Sequence, residues 1–255
     1  MSYPTWSDLN SPSIVPPLGA RQAPSIGPAA LMVSTEPDLR FLSGSVGDLK
    51  SRPFFMGTLM TGKSDHGGYA IAGPYIGAPY GVMLMESLIA KGARNIVILG
   101  WCGAISASLT PGDLLVPDCA LVDEGTSRHY MKLEKERPQV APDFQLSGKL
   151  ADHLAAAGEK VHQAPVWTTD AIYRETPEKV AWFRKKGALA VEMECSALFA
   201  AAAFRKVRAA ALLIVSDTLA TENGDWDPGF RRKRFKTMRK FAAASAVELT
   251  RTIAQ

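Results

Sequence analysis

Apolar residues along this chain follow two periods. Residues 29–34 form a short uncharged run, and residues 96–99 and 209–215 are β-branched or aliphatic runs without charge. Such runs predict strands buried on both faces. Residues 54–61 and 68–72 read as strands of a meander. Residues 114–116 and 120–122 read as short strands around Pro117, residues 160–168 as another strand, and residues 188–191 as a brief apolar run. Between these, apolar residues recur at helical spacing. Val82, Met83, Met85, Leu88 and Ile89 share one face of a helix over residues 80–91, and Gly92 follows as a stop. Residues 144–157, 177–186, 194–204 and 231–254 read as further helices, with Gly187 closing the second of them. The strand at 96–99 runs into a tight junction with a loop at Gly100-Trp101-Cys102-Gly103.

Strands thus alternate with helices and no linker interrupts them. This predicts an α/β fold, a three-layer α/β/α sandwich around a twisted, mostly parallel central sheet. Ligands in such sheets sit at the carboxyl ends of strands. Three predicted strand ends carry unusual chemistry: residues 100–103, residues 168–174, and Ser216-Asp217. Residues 29–255 read as a single domain. Residues 1–28, with Pro4, Pro12, Pro16, Pro17, Pro24 and Pro28, read as an extended arm on the domain surface or on a neighbouring subunit.

Composition narrows the function classes. The chain has 255 residues, 47% of them hydrophobic, enough for a substantial core. No stretch approaches the roughly 20 apolar residues of a membrane helix. The N-terminus lacks the charged and apolar regions of a signal peptide. Three separated cysteines, Cys102, Cys119 and Cys195, suit reduced thiols in a cytoplasm. The net charge of +4 suits an anionic small substrate but is too weak to indicate nucleic acid. The basic run from Arg231 to Lys240 has apolar residues at helical spacing, as a solvated face of a terminal helix would.

Glu192-Met193-Glu194 is the strongest local feature, two carboxylates between an apolar run and an Ala-rich helix. A surface pair opening a helix would favour the helix dipole. Inside the fold, buried carboxylates need partners, and vicinal sugar hydroxyls are suitable ones. Asp217 ends the most apolar strand. It is placed either to cap a helical turn or to act as an acid toward a leaving-group nitrogen. Asp123-Glu124-Gly125-Thr126-Ser127-Arg128-His129-Tyr130 is a polar loop, either a plain turn or an anion site through Arg128 and His129. No zinc spacing, P-loop or dinucleotide fingerprint is present, and no metal is expected.

Together these segments resemble the nucleoside phosphorylase/nucleosidase superfamily. Ile76-Gly77-Ala78-Pro79-Tyr80, Ile98–Ile105 with its Gly-x-x-Gly, Thr169-Asp170-Ala171-Ile172-Tyr173, Val191-Glu192-Met193-Glu194-Cys195-Ser196 and Val215-Ser216-Asp217 are similar to its motifs, in its order. The resemblance implies a nucleoside phosphorylase-like fold and cleavage of a purine N-glycosidic bond. It implies that Met193 and Glu194, with Glu192 beside them, hold the ribose. Ile172, Tyr173, Cys102 and Gly103 would line the base, and Asp217 would meet purine N7. Glu194 and Asp217 would then be the catalytic pair. Uridine-cleaving members lack that Asp and carry Gln-x-Arg after the base loop. Arg174-Glu175-Thr176 does not reproduce it, so a purine is expected.

The chain departs from the phosphorylase pattern around the nucleophile. Ile98 and Trp101 stand where phosphorylases keep an Arg and a Ser or Thr facing phosphate, and the Gly-Asp-Pro-x-Arg loop is altered to Ser34-Thr35-Glu36-Pro37-Asp38-Leu39-Arg40. Arg40, Arg128 and His129 are the candidate phosphate ligands, with Arg52 as a further basic residue. The leading expectation is phosphorolysis to free base and ribose 1-phosphate. No cofactor is implied, and inorganic phosphate is the co-substrate. The alternative is hydrolysis of a purine nucleoside or nucleotide with water as nucleophile. A third expectation, of another class, is a nucleoside-binding protein without catalysis. The resemblance also implies a homo-oligomer built from dimers, up to a hexamer.

Overall fold

The computed structural model describes residues 8–9, 11–23, 25–220 and 225–254. Residues 1–7, 10 and 24 of the expected arm lie outside the described residues. The strands, in chain order, are β1 (Ala29–Val33), β2 (Lys50–Phe54), β3 (Gly57–Ser64), β4 (Gly67–Gly73), β5 (Asn95–Ala104), β6 (Leu114–Asp123), β7 (Gln139–Val140), β8 (Val161–Thr169), β9 (Ala190–Glu192) and β10 (Arg208–Thr218). The helices are α1 (Glu36–Ser45), α2 (Ala78–Ala90), α3 (Phe144–Ala156), α4 (Pro177–Lys185), α5 (Cys195–Arg205) and α6 (Lys233–Thr252).

All the strands join one sheet in the order β2-β3-β4-β1-β5-β9-β8-β6-β10, with β7 beside β6. β10 also pairs with β5, so β5, β9, β8, β6 and β10 close into a ring. The sheet is mixed. β1–β4, β1–β5, β5–β10, β6–β8 and β8–β9 run parallel, and the remaining ladders run antiparallel.

Strand alternation sorts side chains into two layers. Ile96 and Ile98 of β5 and Ala211, Leu213 and Val215 of β10 face α2 and α5. Val97, Leu99, Leu212 and Ile214 face α1, α3 and α6. A third cluster stacks Trp167 of β8 on Phe183 of α4 at 4.3 Å. The layered α/β fold is therefore the expected one. Helix ends follow their chemistry: Asp143 caps Leu146 N–H, Thr176 caps Lys179 N–H, and Gly92 and Gly187 adopt positive φ after α2 and α4. Among the described residues no helix is long and apolar enough to cross a membrane.

Several expected boundaries move. Residues 54–61 are a hairpin rather than one strand: Phe54 ends β2, Phe55 turns at positive φ, and Gly57 opens β3. β2 itself has no apolar period because it is the exposed sheet edge, where Pro53, in register with Thr58 of β3, is tolerated without an N–H. β5 does not stop at Gly100 but continues through Ala104, held by β10 and β9. Residues 114–123 are one strand with an irregularity between Pro117 and Ala120. Residues 34–40 are not a loop, since α1 starts at Glu36 with Pro37 in its first turn. The arm is tied at its inner end, where Ser25 and Ile26 N–H donate to Lys91 O, while Ile14 and Val15 are exposed.

Helix α1 brings Asp38 into the core with no exposed surface. Its carboxylate accepts from Arg239 (2.6 Å), from Trp101 Nε1 (2.7 Å) and from Thr35 Oγ1 (2.7 Å). This cluster joins α1, β5 and α6. Removing one partner of a buried ion pair strands the other charge. Arg239→Met is therefore expected to destabilise the protein by about 3 kcal/mol in equilibrium urea unfolding. A loss within experimental error would show that Asp38 does not depend on that guanidinium.

Candidate functional site

Gly103 is the meeting point of the site. On one side it is in register with Val191 of β9, and on the other with Asp217 of β10. The segment leading to Glu192-Met193-Glu194 and the acid therefore border the same residue. A Cβ at Gly103 would lie 3.1 Å from Asp217 Oδ2 and 3.0 Å from Leu219 Cδ1. Glycine leaves that space to the carboxylate.

Asp217 does not cap a helix. It lies within β10, just after a register shift between Val215 and Asp217 that leaves Ser216 as the extra residue. Bulges re-aim side chains at such positions. Ser216 Oγ lies 2.5 Å from Asp217 Oδ1 and 3.2 Å from Cys102 O, and Trp226 Nε1 donates to Asp217 Oδ2 at 2.8 Å. The acid is thus oriented from both oxygens. Cys102, in register with Val215, is buried.

Glu192 ends β9 and is buried. Its carboxylate accepts from Thr168 Oγ1 and from the N–H groups of Glu194 and Cys195, both at 2.7 Å. Thr168 Oγ1 in turn accepts from Ser196 N–H, and Ser196 Oγ donates to the buried Glu124. With both oxygens engaged, Glu192 holds the turn that opens α5. Met193 and Glu194 are the partly exposed residues of that turn. Glu194 Oε1 accepts from Gly77 N–H at 2.6 Å, across from the start of α2. Gly77 takes φ of 81°, a conformation that favours glycine. Burial raises the Glu194 pKa, the Glu192 charge raises it further, and the bonds from Gly77 and Met193 backbone offset part of the rise.

The other candidates are more open. Ile172 and Tyr173 lie on a 3-10 turn after β8 and are 51% and 96% exposed. Arg128 and His129 are exposed on the 3-10 turn Ser127–His129 after β6. Arg40 stands on the outer face of α1 in an ion pair with Glu36. Arg52 is exposed on β2. Ile98 is buried in the apolar layer, and the Trp101 indole is committed to Asp38.

Sequence reasoning missed Gly77 as a donor, Trp226 as the second anchor of Asp217, and Glu175. Gly77 lies within the segment Ile76–Tyr80, but its N–H partner is 117 positions away. Trp226 had no local signal. Glu175 is half-buried beside an exposed turn. Burial and then the Asp217 charge push its pKa up to about 7 from 4.5.

A model of the Phosphorylase superfamily matches residues 28–253. The chain belongs to this superfamily. It is 33% identical over 148 residues to a guanosine phosphorylase of Halorubrum lacusprofundi, covering 58% of this chain and 60% of that protein. It is 32% identical over 130 residues to a DeoD-type purine nucleoside phosphorylase of Colwellia psychrerythraea, covering 51% of this chain and 55% of that protein. The matched segments thus span little more than half the length of these relatives. The purine nucleoside phosphorylase of Toxoplasma gondii in complex with immucillin-H superposes with a TM-score of 0.78 at 18% identity, over 95% of this chain and 97% of that one.

Glu175 generates a pH prediction. Its folded pKa lies above its unfolded value, so the folded protein holds a proton that the unfolded chain has lost. Stability therefore falls as pH rises from 4.5 to about 7. Glu175→Gln should remove that decline, raising the melting temperature more at pH of about 8 than at about 5. Equal effects at both values would refute the assignment.

Proposed function

We propose that this chain cleaves the N-glycosidic bond of a purine nucleoside by phosphorolysis, releasing free base and ribose 1-phosphate. The observation that carries this reading is the convergence on Gly103, with the Asp217 strand on one side and the segment leading to Glu194 on the other. In this reading Met193 and Glu194 hold the ribose. Cys102, Gly103, Ile172 and Tyr173 border the base, and Asp217 meets N7. A phosphate oxygen attacks C1′, the C1′–N9 bond breaks, and its electrons pass into the purine. Positive charge grows on the sugar in the transition state, and an anion beside it stabilises that state more than the ground state. A proton delivered at N7 makes the base a better leaving group. The names of the guanosine and purine nucleoside relatives support a purine substrate.

The same reading takes inorganic phosphate as co-substrate and assigns its capture to Arg128 and His129, with Arg40 as a further candidate. It makes the enzyme cytoplasmic and a homo-oligomer. Met56, Ile76 and Met83 are exposed apolar residues on the β2–β3 turn, the segment before Gly77, and α2, and they support an interface there.

A second reading, hydrolysis, is favoured by one specific observation. Ile98 and the Asp38-bound Trp101 leave no guanidinium or hydroxyl at the two strand positions that face phosphate in the resembling phosphorylases. The sugar product separates the two. Wild-type protein supplied with guanosine, inosine or adenosine should release base only with phosphate present and yield ribose 1-phosphate. Free ribose at the same rate without phosphate would replace phosphorolysis by hydrolysis. Asp217→Ala should slow base release by about 10²–10⁴-fold. An unchanged rate would remove Asp217 from the chemistry.

A further inference from the structure

Asp217 is closed on one side and open on the other. Ser216, the residue before it, is 6% exposed, whereas Trp226, which donates to it, is 59% exposed. Approach from solvent to the acid therefore runs along the indole. Oδ2 is the oxygen turned to Gly103, since a Cβ there would lie 3.1 Å from it. It is also the oxygen that takes Trp226 Nε1–H at 2.8 Å. The indole donor thus adjoins the acid oxygen that faces Gly103.

This placement is built by several contacts. Thr218 N–H donates to Asp227 O at 3.0 Å, and Asp227 N–H donates to Thr218 O at 2.9 Å. Gly229 packs where a Cβ would come within 2.2 Å of Pro111 Cγ and 3.0 Å of Ser216 O. Asp227 is ion-paired with Arg232, and the Trp226 and Phe230 rings lie 6.2 Å apart. Residues 226–232 are thereby tied to the end of β10, and the indole N–H has a fixed direction.

An indole N–H donates and cannot accept. Next to N7 on the same edge of a purine is the substituent at C6. A 6-oxopurine presents an acceptor there, and a 6-aminopurine presents a donor. With the acid at N7, the Trp226 N–H faces the 6 position. An oxygen satisfies it, and an amino group sets donor against donor. A polar group left covered and unpaired costs more than a formed bond contributes.

We propose that Trp226 selects the base: its N–H passes from Asp217 Oδ2 to the 6-oxygen of an entering nucleoside, so the site takes 6-oxopurine nucleosides in preference to 6-aminopurine ones. The inference rests on the functional reading above for the seat of N7 at Asp217. In the free protein Oδ2 occupies the indole donor, and a 6-oxopurine replaces that acceptor with its own.

The test compares wild-type protein with Trp226→Phe on paired ligands. Wild type should cleave inosine with a kcat/KM about tenfold or more above that for adenosine. In Trp226→Phe the ratio should fall toward one. Loss of an anchor for Asp217 alone would slow both substrates equally and leave the ratio unchanged. Calorimetric binding of 9-deazainosine and 9-deazaadenosine, C-nucleosides with a 6-oxo and a 6-amino group, repeats the comparison without catalysis. A wild-type ratio near one, or a ratio unaltered in the variant, would overturn the proposal. The wild-type ratio keeps it testable if Trp226→Phe fails to fold. A wild-type protein that cleaves neither nucleoside, yet binds the 6-oxo analogue more tightly and loses that preference in Trp226→Phe, would overturn the functional reading alone. Binding of neither analogue would overturn both.

Discussion

The Glu192 carboxylate is buried at the end of β9 and takes hydrogen bonds from Thr168, Glu194 and Cys195. It ties β8, β9 and the first turn of α5 to one point. Anionic charge at a helix N-terminus is favourable, and here two backbone N–H groups satisfy it directly. Ser196 extends the network to Glu124, whose carboxylate closes the turn at Thr126 and Ser127. A buried network of this kind is stable only when its members are satisfied together. Its consequence for the site is positional. With the turn held from beneath, Met193 and Glu194 are presented outward, and Glu194 reaches Gly77 on the opposite wall.

The second half of the site is built differently. Asp217 is aimed by an extra residue in a strand, not by a helix terminus. Parallel pairing of β10 with β5 brings it beside Gly103, while antiparallel pairing of β9 with β5 brings Val191 to the same place. Closing the five strands into a ring is what permits both neighbours, since β5 carries β9 and β10 at its carboxyl end. The mixed sheet is therefore a condition of the site.

Much of this was legible in the chain. The apolar runs of β1, β5 and β10 declared themselves because both of their faces are buried, and α2 and α5 did so by helical spacing. The Glu192–Glu194 pair and Asp217 stood out because charges rarely adjoin such apolar runs. What stayed illegible depends on contacts between distant positions. β2 is polar because it is a sheet edge. β5 continues past Gly100 because β9 and β10 flank it there. Glu192 and Glu194 look alike as residues, yet one is an internal anchor and the other faces outward, and only their partners distinguish them. Trp101 read as a lost phosphate ligand. The structure adds that it belongs to a core cluster around Asp38, which replaces one local chemistry by another.

Two carboxyl groups, oriented by separate devices on two segments that flank one glycine, are the centre of the site. A crystal structure with a purine C-nucleoside, whose carbon–carbon glycosidic bond resists cleavage, tests it most directly. The account predicts the Glu194 carboxylate within hydrogen-bond distance of the 2′ and 3′ hydroxyls, and Asp217 within that distance of the nitrogen at the N7 position of the base. A ligand whose sugar lies away from Glu194, or whose base turns its N7 edge from Asp217, would contradict it.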